Sequence, residues 1–501
     1  WGRREAGTWR EGAVVKRGEW SFLDAMWRCA AATADACWTQ AAGREAIAQA
    51  REGRLANLIE RTRRESAFYR RAWKGLGERT ARLADLPAVS KADLMAGFDD
   101  WVTDPAVTRE RVERFAADPA RIGEPFLGRY AIFSSSGTTG VPGLVVQDPD
   151  ALAVYDALGA TRLAAFAPSW NWREPLAGHR FALVAATEGH FAGVVAWERL
   201  RALHPWFAAH ARVFPVTRPL RETCAALQAF RPSVVASYAT VLRALAGEKD
   251  AGRLDIAPAA LWYGGEWLAP MSRAHIERAF SAPVAGDYGA SEFPAIAFEC
   301  ERGALHLNDD WVVLEPVDAR GEPVPPDTPS ASVLLTSLAN RVQPLVRYEL
   351  GDSVTLVSKP CACARPFPVI RVDGRRDEIL RLRAGRGREV PVLPMALCTA
   401  IEEGAGVHRF QAIQAGPGEL VLRVEDGTRR REAVARAKRA LEEFLAAQGL
   451  AGVAVRAEAA TLAAHPVSGK FRQVWRAKAP AAEPTSSRPP GRGSRRPRSG
   501  P

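Results

Sequence analysis

Between about residues 125 and 315, short apolar runs alternate with longer segments of helical periodicity. The apolar runs include RFALVAA, SVVASY and ALWYGG, and the helical segments include 219–230 and 270–280. This alternation is typical of βαβ units, in which helices join parallel strands and cover the sheet that they form. We therefore predict an α/β fold with a largely parallel sheet in this part of the chain.

The pattern changes further along the chain. Residues 305–357 are predicted to form antiparallel strands with turns, and strands with one amphipathic helix follow the sequence DGRR at 373–376. We predict four parts: an N-terminal extension at 1–45, a large domain of βαβ subdomains with an antiparallel portion at 46–372, a small mobile α+β domain at 373–478 and a disordered basic tail at 479–501.

Composition excludes several classes of protein. The chain has 501 residues and 47% apolar residues, so it can bury large cores. No apolar stretch is long enough to cross a membrane. Seven cysteines in a chain of this length do not form a disulfide framework, which favours the reducing cytoplasm. The net charge of +11 includes an arginine-rich tail, which is either a tether for nucleic acid or a solvated, dispensable end.

A loop rich in glycine and hydroxyl groups joins two apolar runs in the sequence AIFSSSGTTGVPGLVVQ at 131–147. Successive backbone N–H groups in such a loop form a concave anion site, and phosphate is its natural ligand. The loop is not a Walker A motif, because no Gly-Lys-Ser/Thr follows. Taken alone, it is either a phosphate loop or an ordinary polar hairpin turn.

Four further segments identify the loop's context: GDYGASE at 286–292, LVRYELGD at 345–352, DGRRDEIL at 373–380 and HPVSGKFRQV at 465–474. In this order and spacing, the five segments resemble the adenylate-forming (ANL) superfamily, and in particular the phenylacetate–CoA ligase family. The resemblance implies an enzyme that uses ATP and Mg²⁺ to convert a carboxylic acid, an aryl acid by family, into an acyl-adenylate with release of pyrophosphate. Transfer of the acyl group to CoA follows.

The resemblance also implies roles for individual residues. Glu292 would hold Mg²⁺, Lys470 would reach the α-phosphate and the substrate carboxylate, and Asp377 would be the hinge of the small domain. Tyr288 would stack on adenine, and Asp352 would accept hydrogen bonds from the ribose. The full set of nucleotide-binding candidates is Ser134, Ser135, Ser136, Gly137, Thr138, Thr139, Gly140, Gly264, Gly265, Glu266, Tyr288, Ser291, Asp352 and Arg375.

One position departs from the superfamily pattern. Many members have a lysine after the proline of the phosphate loop, whereas Gly143 follows Pro142 here. We therefore expect backbone amides, hydroxyl groups and Mg²⁺ to neutralise the negative charge of the pyrophosphate group.

Two further groups of residues each have two interpretations. His190, Phe191, Tyr238 and Trp262 either line the acyl pocket or pack in the core. Cys300, His306, Cys361 and Cys363 supply the three thiolates and one imidazole of a tetrahedral Zn²⁺ site, and relatives carry similar Cys and His positions. The alternative is that these cysteines are free thiols.

Other functions stay open. The enzyme could be an adenylyltransferase, or it could pass the acyl group to an amine, a carrier protein or a deazaflavin-type cofactor. A non-catalytic nucleotide- or nucleic-acid-binding protein is a third class. The partners expected for the leading interpretation are a small carboxylic acid and CoA, with no membrane or nucleic acid, and the sequence leaves a homodimer open.

Overall fold

The computed structural model describes residues 20–76, 82–135, 143–163, 178–375, 379–383, 387, 389–392, 394–407, 409–425, 430–462 and 472–477. Its helices are α1 (Phe22–Ala42), α2 (Arg44–Glu65), α3 (Ala67–Ala72), α4 (Lys91–Ala96), α5 (Phe98–Trp101), α6 (Arg109–Ala116), α7 (Pro149–Leu158), α8 (Ala192–Leu203), α9 (Pro205–His210), α10 (Leu220–Phe230), α11 (Ala239–Asp250), α12 (Pro270–Phe280), α13 (Pro394–Ala405) and α14 (Arg430–Ala447).

Shorter helical turns occupy Leu83–Asp85, Pro119–Arg121 and Gly159–Leu163. The strands are β1 (Ala131–Ser134), β2 (Leu144–Gln147), β3 (Phe181–Ala185), β4 (Ala211–Pro215), β5 (Val234–Ser237), β6 (Ala260–Tyr263), β7 (Val284–Tyr288), β8 (Ala297–Glu299), β9 (Leu305–Leu307), β10 (Val312–Val317), β11 (Ser332–Ser337), β12 (Tyr348–Glu349), β13 (Asp352–Val357), β14 (Val369–Arg375), β15 (Leu380–Leu382), β16 (Val390–Val392), β17 (Phe410–Gly416), β18 (Glu419–Glu425), β19 (Ala454–Ala460) and β20 (Val474–Arg476).

A nine-stranded sheet organises the large α/β part, in the order β4-β3-β5-β6-β7-β8-β9-β14-β13. The strands from β4 to β7 pair in parallel, and those from β7 to β13 pair antiparallel. On the parallel side, Leu227, Leu242 and Ile276 from α10, α11 and α12 pack with Val235 and Leu261 of the sheet. Strands covered in this way are apolar on both faces, as their short apolar runs predicted.

Two smaller sheets complete the large part. Strands β1 and β2 form an antiparallel hairpin, with Ser134 opposite Leu144. Strands β10, β11 and β12 form an antiparallel sheet whose inner residues Val312, Val333 and Leu335 are buried in the largest core. Ile132, Leu144 and Val146 of the hairpin are buried in the same core, so the hairpin packs against the rest of the large part.

The C-terminal part has a separate core. Strands β19-β18-β17-β20 form one sheet, in which the outer pairs are parallel and the central β17–β18 pair is antiparallel. Leu380, Leu397, Phe410, Leu422 and Leu441 are all buried in this core. The α/β architecture with an antiparallel portion and a small α+β part confirms the predicted fold class.

The N-terminal region contains an element that the sequence analysis missed. Helix α1 begins after Ser21, whose hydroxyl accepts a hydrogen bond from the Asp24 amide, and it ends at Gly43. Its buried side chains, Ala36 and Thr39, are small. A face made of small residues differs little in hydrophobicity from the opposite face, so the 3.6-residue period is weak in the sequence.

Across the described segments, no helix combines the length and apolar character needed to cross a membrane.

A buried ion pair links the end of α7 to the strand region. The Arg162 guanidinium makes two parallel hydrogen bonds to the Asp310 carboxylate, of 2.9 Å and 2.5 Å, and both side chains are fully buried. Arg162 also donates a hydrogen bond to the Asn308 side chain and lies over the Phe367 ring. Removal of one partner would leave the other charge buried and unpaired.

We predict that Arg162→Met destabilises the protein by about 3–5 kcal/mol, because the Asp310 carboxylate loses its buried counter-charge. Denaturant unfolding followed by tryptophan fluorescence measures this change. The control is Arg64→Met, since Arg64 forms an exposed pair with Glu60, and exposed pairs contribute little. Equal unfolding midpoints for the two variants would contradict the assignment.

Candidate active site

The candidate site lies at the carboxyl ends of the parallel strands. The segments that follow β3, β5, β6 and β7 contain, in this order, His190, Tyr238, Gly264 and Glu292. In open α/β sheets, ligands bind in the crevice outside these strand ends. The nine-stranded sheet therefore brings together candidates that are far apart in the sequence.

The β1–β2 hairpin, whose strands flank the predicted phosphate loop, is fastened at this edge. The Ser135 amide donates a hydrogen bond to the Gly143 carbonyl at 2.9 Å, which continues the ladder past the strand ends. The Ser134 amide donates to the His190 carbonyl at 2.7 Å, which fastens the hairpin to the segment after β3. The candidates Ser136, Gly137, Thr138, Thr139 and Gly140 lie outside the described residues.

Tyr288 and Asp352, predicted for adenine and ribose, are in direct contact. The Tyr288 hydroxyl donates a hydrogen bond to Asp352 Oδ2 at 2.6 Å. Tyr288 ends β7, and Asp352 begins β13 at the far edge of the same sheet. Gly351, with φ of +80°, takes the left-handed conformation that leads the chain into β13. The contact thus joins the end of the last parallel strand, β7, to the antiparallel edge strand, β13.

Glu292, the predicted Mg²⁺ residue, is buried and held by a second tyrosine. The Tyr348 hydroxyl donates to Glu292 Oε1 at 2.7 Å. Gln147, at the end of β2, donates its side-chain amide to the carbonyls of Ser291 and Glu292 at 3.2 and 3.3 Å. The Ser291 hydroxyl lies 3.5 Å from the Ser134 carbonyl oxygen. The phosphate hairpin and the carboxylate segment are therefore fixed to each other.

The predicted adenine wall follows β6. The Gly264 amide donates to the Ser237 carbonyl at 3.1 Å, and Gly265 has φ of +72°. The Glu266 carboxylate accepts hydrogen bonds from the Thr240 amide at 3.0 Å and hydroxyl at 2.8 Å, at the start of α11. These contacts hold the backbone turn in place while the glycines leave its surface uncovered.

Asp287 is a site residue that sequence reasoning missed. A Cβ atom at Gly264 would lie 3.0 Å from Asp287 Oδ1, so this carboxyl group stands directly behind the glycine turn. Burial raises the pKa of the Asp287 carboxyl to about 7, although the Trp262 side chain donates a hydrogen bond to it. Its position next to Tyr288 was visible in the sequence, but its contact with β6 depends on strand order.

The four acyl-pocket candidates cluster near the same strand ends but differ in environment. The His190 ring is buried against the Phe115 ring, with centroids 5.4 Å apart, and burial lowers the pKa of the imidazole. The Tyr238 hydroxyl accepts a hydrogen bond from the Ala186 amide at 3.3 Å. Phe191 and Trp262 are half-buried. Both interpretations of these residues, pocket lining and packing, stay predictions.

Lys470 and Asp377 lie outside the described residues, and for Arg375 the structure describes only the backbone of β14. Arg375 pairs with Asp352 in the strand register, which brings its backbone to the ribose candidate.

Tyr348 was a second missed residue. It lies within the quoted segment LVRYELGD, but its partner Glu292 is 56 residues away, and only the fold shows the contact.

The four predicted metal ligands converge at the ends of β13 and β14 that lie away from Asp352. The ligand atoms of Cys300, His306, Cys361 and Cys363 all lie within 4.8 Å of one another. Two Sγ atoms, of Cys300 and Cys361, are 3.8 Å apart, and Cys363 Sγ is 3.2 Å from His306 Nε2. Zn–S bonds of about 2.3 Å in a tetrahedron place two sulfurs about 3.8 Å apart.

The environment of His306 also suits metal binding. Its Nδ1 atom lies 3.2 Å from the Phe367 carbonyl oxygen, which can only accept a hydrogen bond. Nδ1 therefore carries the proton, and Nε2, which faces the cysteines, presents its lone pair. This is the usual orientation of a metal-binding histidine. The structure thus contains a candidate Cys₃His metal site.

The open α/β sheet with its antiparallel portion and the small α+β part form the same fold as a CoA ligase solved in complex with an acyl-adenylate. No family model matches the chain. A phenylacetate-coenzyme A ligase of Thermus thermophilus is 29% identical over 363 residues, covering 68% of this chain and 73% of that protein. The protein CapK of Staphylococcus aureus is 27% identical over 161 residues, or 31% of this chain and 34% of CapK.

Solved structures give the same result for the fold. The structure of 2-hydroxyisobutyryl-CoA ligase in the postadenylation state, in complex with 2-HIB-AMP, superposes with a TM-score of 0.63 at 20% identity and covers 87% of this chain and 90% of that one. An open conformation of the same ligase with 2-HIB-AMP and CoA gives 0.54. The chain is thus similar in sequence to a phenylacetate-coenzyme A ligase and in fold to a CoA ligase, which confirms the resemblance predicted from its motifs.

The raised pKa of the half-buried Asp287 carboxyl generates a pH-dependent prediction. Its pKa is raised above that of an unfolded aspartate, so the folded state favours the protonated form and loses stability as the pH rises from about 4 to about 7. An asparagine side chain does not titrate, so the stability of Asp287→Asn relative to the wild type rises over this range, by about 4 kcal/mol at most. Denaturation midpoints of both proteins at pH 5 and pH 8 measure the difference. A difference that does not change with pH would contradict the assignment.

Proposed function

We propose that this protein is an ATP-dependent, AMP-forming acid–CoA ligase. The observation that carries the proposal is the meeting of two tyrosine–carboxylate pairs, Tyr288–Asp352 and Tyr348–Glu292, next to the β1–β2 hairpin. Each pair joins two motifs that were quoted separately from the sequence. The similarity to a phenylacetate-coenzyme A ligase over most of both chains supports the same activity.

Adenosine would bind between the turn after β6 and Tyr288. The flat ring of Tyr288 suits stacking on a purine, and its hydroxyl holds the Asp352 carboxylate in one orientation. A carboxylate has about four acceptor positions. Asp352 therefore keeps the capacity to accept hydrogen bonds from the ribose hydroxyls while it accepts one from Tyr288.

The phosphates would lie between the hairpin and Glu292. A buried carboxylate with one oxygen held by Tyr348 fits Mg²⁺, which is commonly bound by one or two carboxylates together with phosphate oxygens. The ion would neutralise phosphate charge when bound. Ser134 and Ser135 position the hairpin, and the loop residues 136–140 are proposed to bind the β- and γ-phosphates.

In the first step, a carboxylate oxygen of the acid attacks the α-phosphorus of ATP, the P–O bond to the β-phosphate breaks, and pyrophosphate leaves. We propose that Lys470 reduces the repulsion between these two anions. In the second step, the sulfur of CoA attacks the acyl carbon, its proton is released and AMP leaves. The proposed small domain, 373–478, would turn about Asp377 between the two steps.

Acid-dependent release of pyrophosphate tests the proposal. We predict that one class among a panel of aryl and short aliphatic acids drives this release and that CoA is consumed in equal amounts.

Lys470→Ala should reduce the rate of adenylation by about 100-fold or more, on the scale of a lost charge-stabilising donor. Tyr348→Phe should raise the Mg²⁺ concentration needed for half-maximal rate, because Glu292 loses its orienting hydrogen bond.

The outcomes separate the alternatives. Pyrophosphate release without consumption of CoA would favour an adenylyltransferase or a different acyl acceptor. No release with any acid would contradict the ligase proposal and favour a non-catalytic nucleotide-binding protein. The matched control for Tyr348→Phe is Tyr130→Phe, whose hydroxyl donates to Asp104 away from Glu292. It should leave the Mg²⁺ dependence unchanged.

We also propose that Cys300, His306, Cys361 and Cys363 bind one structural Zn²⁺. The site has four protein ligands, which is the closed arrangement of structural zinc. Cys300 comes from the turn between β8 and β9, His306 from β9, and Cys361 and Cys363 from the connection between β13 and β14. Only two residue pairs, Val369–His306 and Ile370–Leu305, join β14 to β9 in register. The ion would therefore strengthen a short part of the sheet.

We predict one equivalent of zinc per chain in the purified protein, measured by elemental analysis. Cys363→Ser should lose the metal and lower the thermal midpoint, because a structural metal contributes its binding free energy to folding. Cys37→Ser is the control, since Cys37 is exposed and is not one of the four clustered residues. A protein without stoichiometric zinc, and with equal midpoints for the two variants, would instead indicate free thiols.

A further inference from the structure

Lys91 reaches the base of the phosphate loop from a different part of the chain. It is the first residue of α4, and its Nζ atom donates a hydrogen bond to Ser135 Oγ at 2.7 Å. Ser135 and Gly143 face each other across the base of the hairpin, where the Gly143 amide also donates to Ser135 Oγ, at 2.8 Å. The ammonium group is therefore next to both ends of the loop.

Gly143 is the position at which many adenylate-forming enzymes have a lysine. A Cβ atom at this position would lie 2.7 Å from Lys91 Cε and 3.1 Å from Lys91 Nζ. The absence of a side chain at residue 143 therefore creates the space that the Lys91 side chain fills. A lysine at residue 143 and the lysine at residue 91 would therefore compete for the same volume.

Lys91 is held in place by the rest of the site. Val89 forms a parallel bridge with Tyr348: the Val89 amide donates to the Arg347 carbonyl at 3.0 Å, and the Glu349 amide donates to the Val89 carbonyl at 2.9 Å. Ser90 then caps α4 by accepting a hydrogen bond from the Asp93 amide. Lys91 thus follows, by two residues, the position that pairs with Tyr348, and Tyr348 in turn orients Glu292.

The hydrogen bonds at Ser135 determine how its hydroxyl is used. A serine hydroxyl has two acceptor lone pairs and one hydrogen to donate. Lys91 and the Gly143 amide occupy both acceptor positions. The remaining capacity of this hydroxyl is to donate its hydrogen, which suits an anionic oxygen. Lys91 therefore supplies positive charge to the site and also turns Ser135 into a donor.

We propose that Lys91 is the cation that neutralises the β- and γ-phosphates of ATP in this protein, in place of the loop lysine that Gly143 lacks. This inference rests on the proposed function, because it assigns a residue of the same nucleotide site. A lysine ammonium is a compact point charge on a long side chain, which suits contact with phosphate. In the first reaction step it would stabilise the pyrophosphate as that group leaves.

Equilibrium binding of ATP and AMP, measured by calorimetry with Mg²⁺ and without any acid, tests this role. AMP lacks the two phosphates that Lys91 is proposed to contact. Lys91→Gln should weaken ATP binding by about 10- to 100-fold, the effect expected for a hydrogen bond to a charged group. AMP binding should not change. Glutamine keeps an N–H donor on a side chain that is one atom shorter, so the variant removes the charge and retains a polar group near Ser135.

A reciprocal exchange separates charge from structure. Lys91→Ala removes the cation and makes room at residue 143, and the additional substitution Gly143→Lys places a lysine where other superfamily members have it. The double variant should bind ATP more tightly than Lys91→Ala alone. Gly143→Ala by itself should weaken ATP binding, because its Cβ displaces Lys91 Cε. The matched control Lys74→Gln changes an exposed lysine and should have no effect.

The possible failures are distinguishable. If the wild-type protein binds neither nucleotide, the proposed function is wrong. If the wild type prefers ATP over AMP and Lys91→Gln retains this preference, the ligase proposal stands and the role of Lys91 is wrong. If Lys91→Gln lowers the thermal midpoint and weakens ATP and AMP binding equally, Lys91 is a structural residue and the inference is overturned.

Discussion

Two hydrogen bonds from tyrosine hydroxyls to carboxylates hold the candidate site together. Tyr288 donates to Asp352 and Tyr348 donates to Glu292, across 64 and 56 residues of sequence. Tyr288 ends β7 and Glu292 follows it, whereas Tyr348 lies in β12 and Asp352 begins β13, so both bonds join the same two regions of the chain. Each is a charge-assisted bond in a half-buried or buried setting, where such bonds are strong and directional. The positions of the nucleotide candidates depend on these two contacts.

The rest of the large α/β part supports this arrangement from two sides. On one side, the hairpin β1–β2 is fixed to the Glu292 segment through Gln147 and is approached by Lys91 from α4. On the other side, β13 and β14 have the ribose candidate Asp352 at one end and the Cys₃His cluster at the other. The proposed zinc would therefore stabilise the strand that presents Asp352 without taking part in the chemistry.

Much of the fold could be predicted from the sequence. The alternation of apolar runs and helices indicated the parallel sheet, because strands buried on both faces have continuous apolar segments. Helices such as α10 and α12 were predicted almost to the residue. Helix α1 was missed because its buried face consists of small residues. Local patterns identify elements only where burial produces hydrophobic contrast.

The site was only partly predictable. Motifs identified Tyr288, Glu292 and Asp352, but not the partners that orient them. The contacts of Tyr348 with Glu292, of Asp287 with the turn at Gly264 and of Lys91 with Ser135 join segments that are distant in sequence. Their positions follow from strand order and from the bridge at Val89, which no local pattern contains. Lys91 in particular was hidden because the expected lysine belongs to the loop itself.

The central claim is that this site joins a carboxylate to the α-phosphate of ATP. The most direct measurement is the fate of oxygen from an acid labelled with ¹⁸O in its carboxylate, followed by mass spectrometry of the products after reaction with ATP, Mg²⁺ and CoA. Acyl-adenylate formation makes that oxygen the bridge to phosphorus, so the account predicts one ¹⁸O atom in each AMP. Formation of ADP, or of AMP without the label, would contradict it.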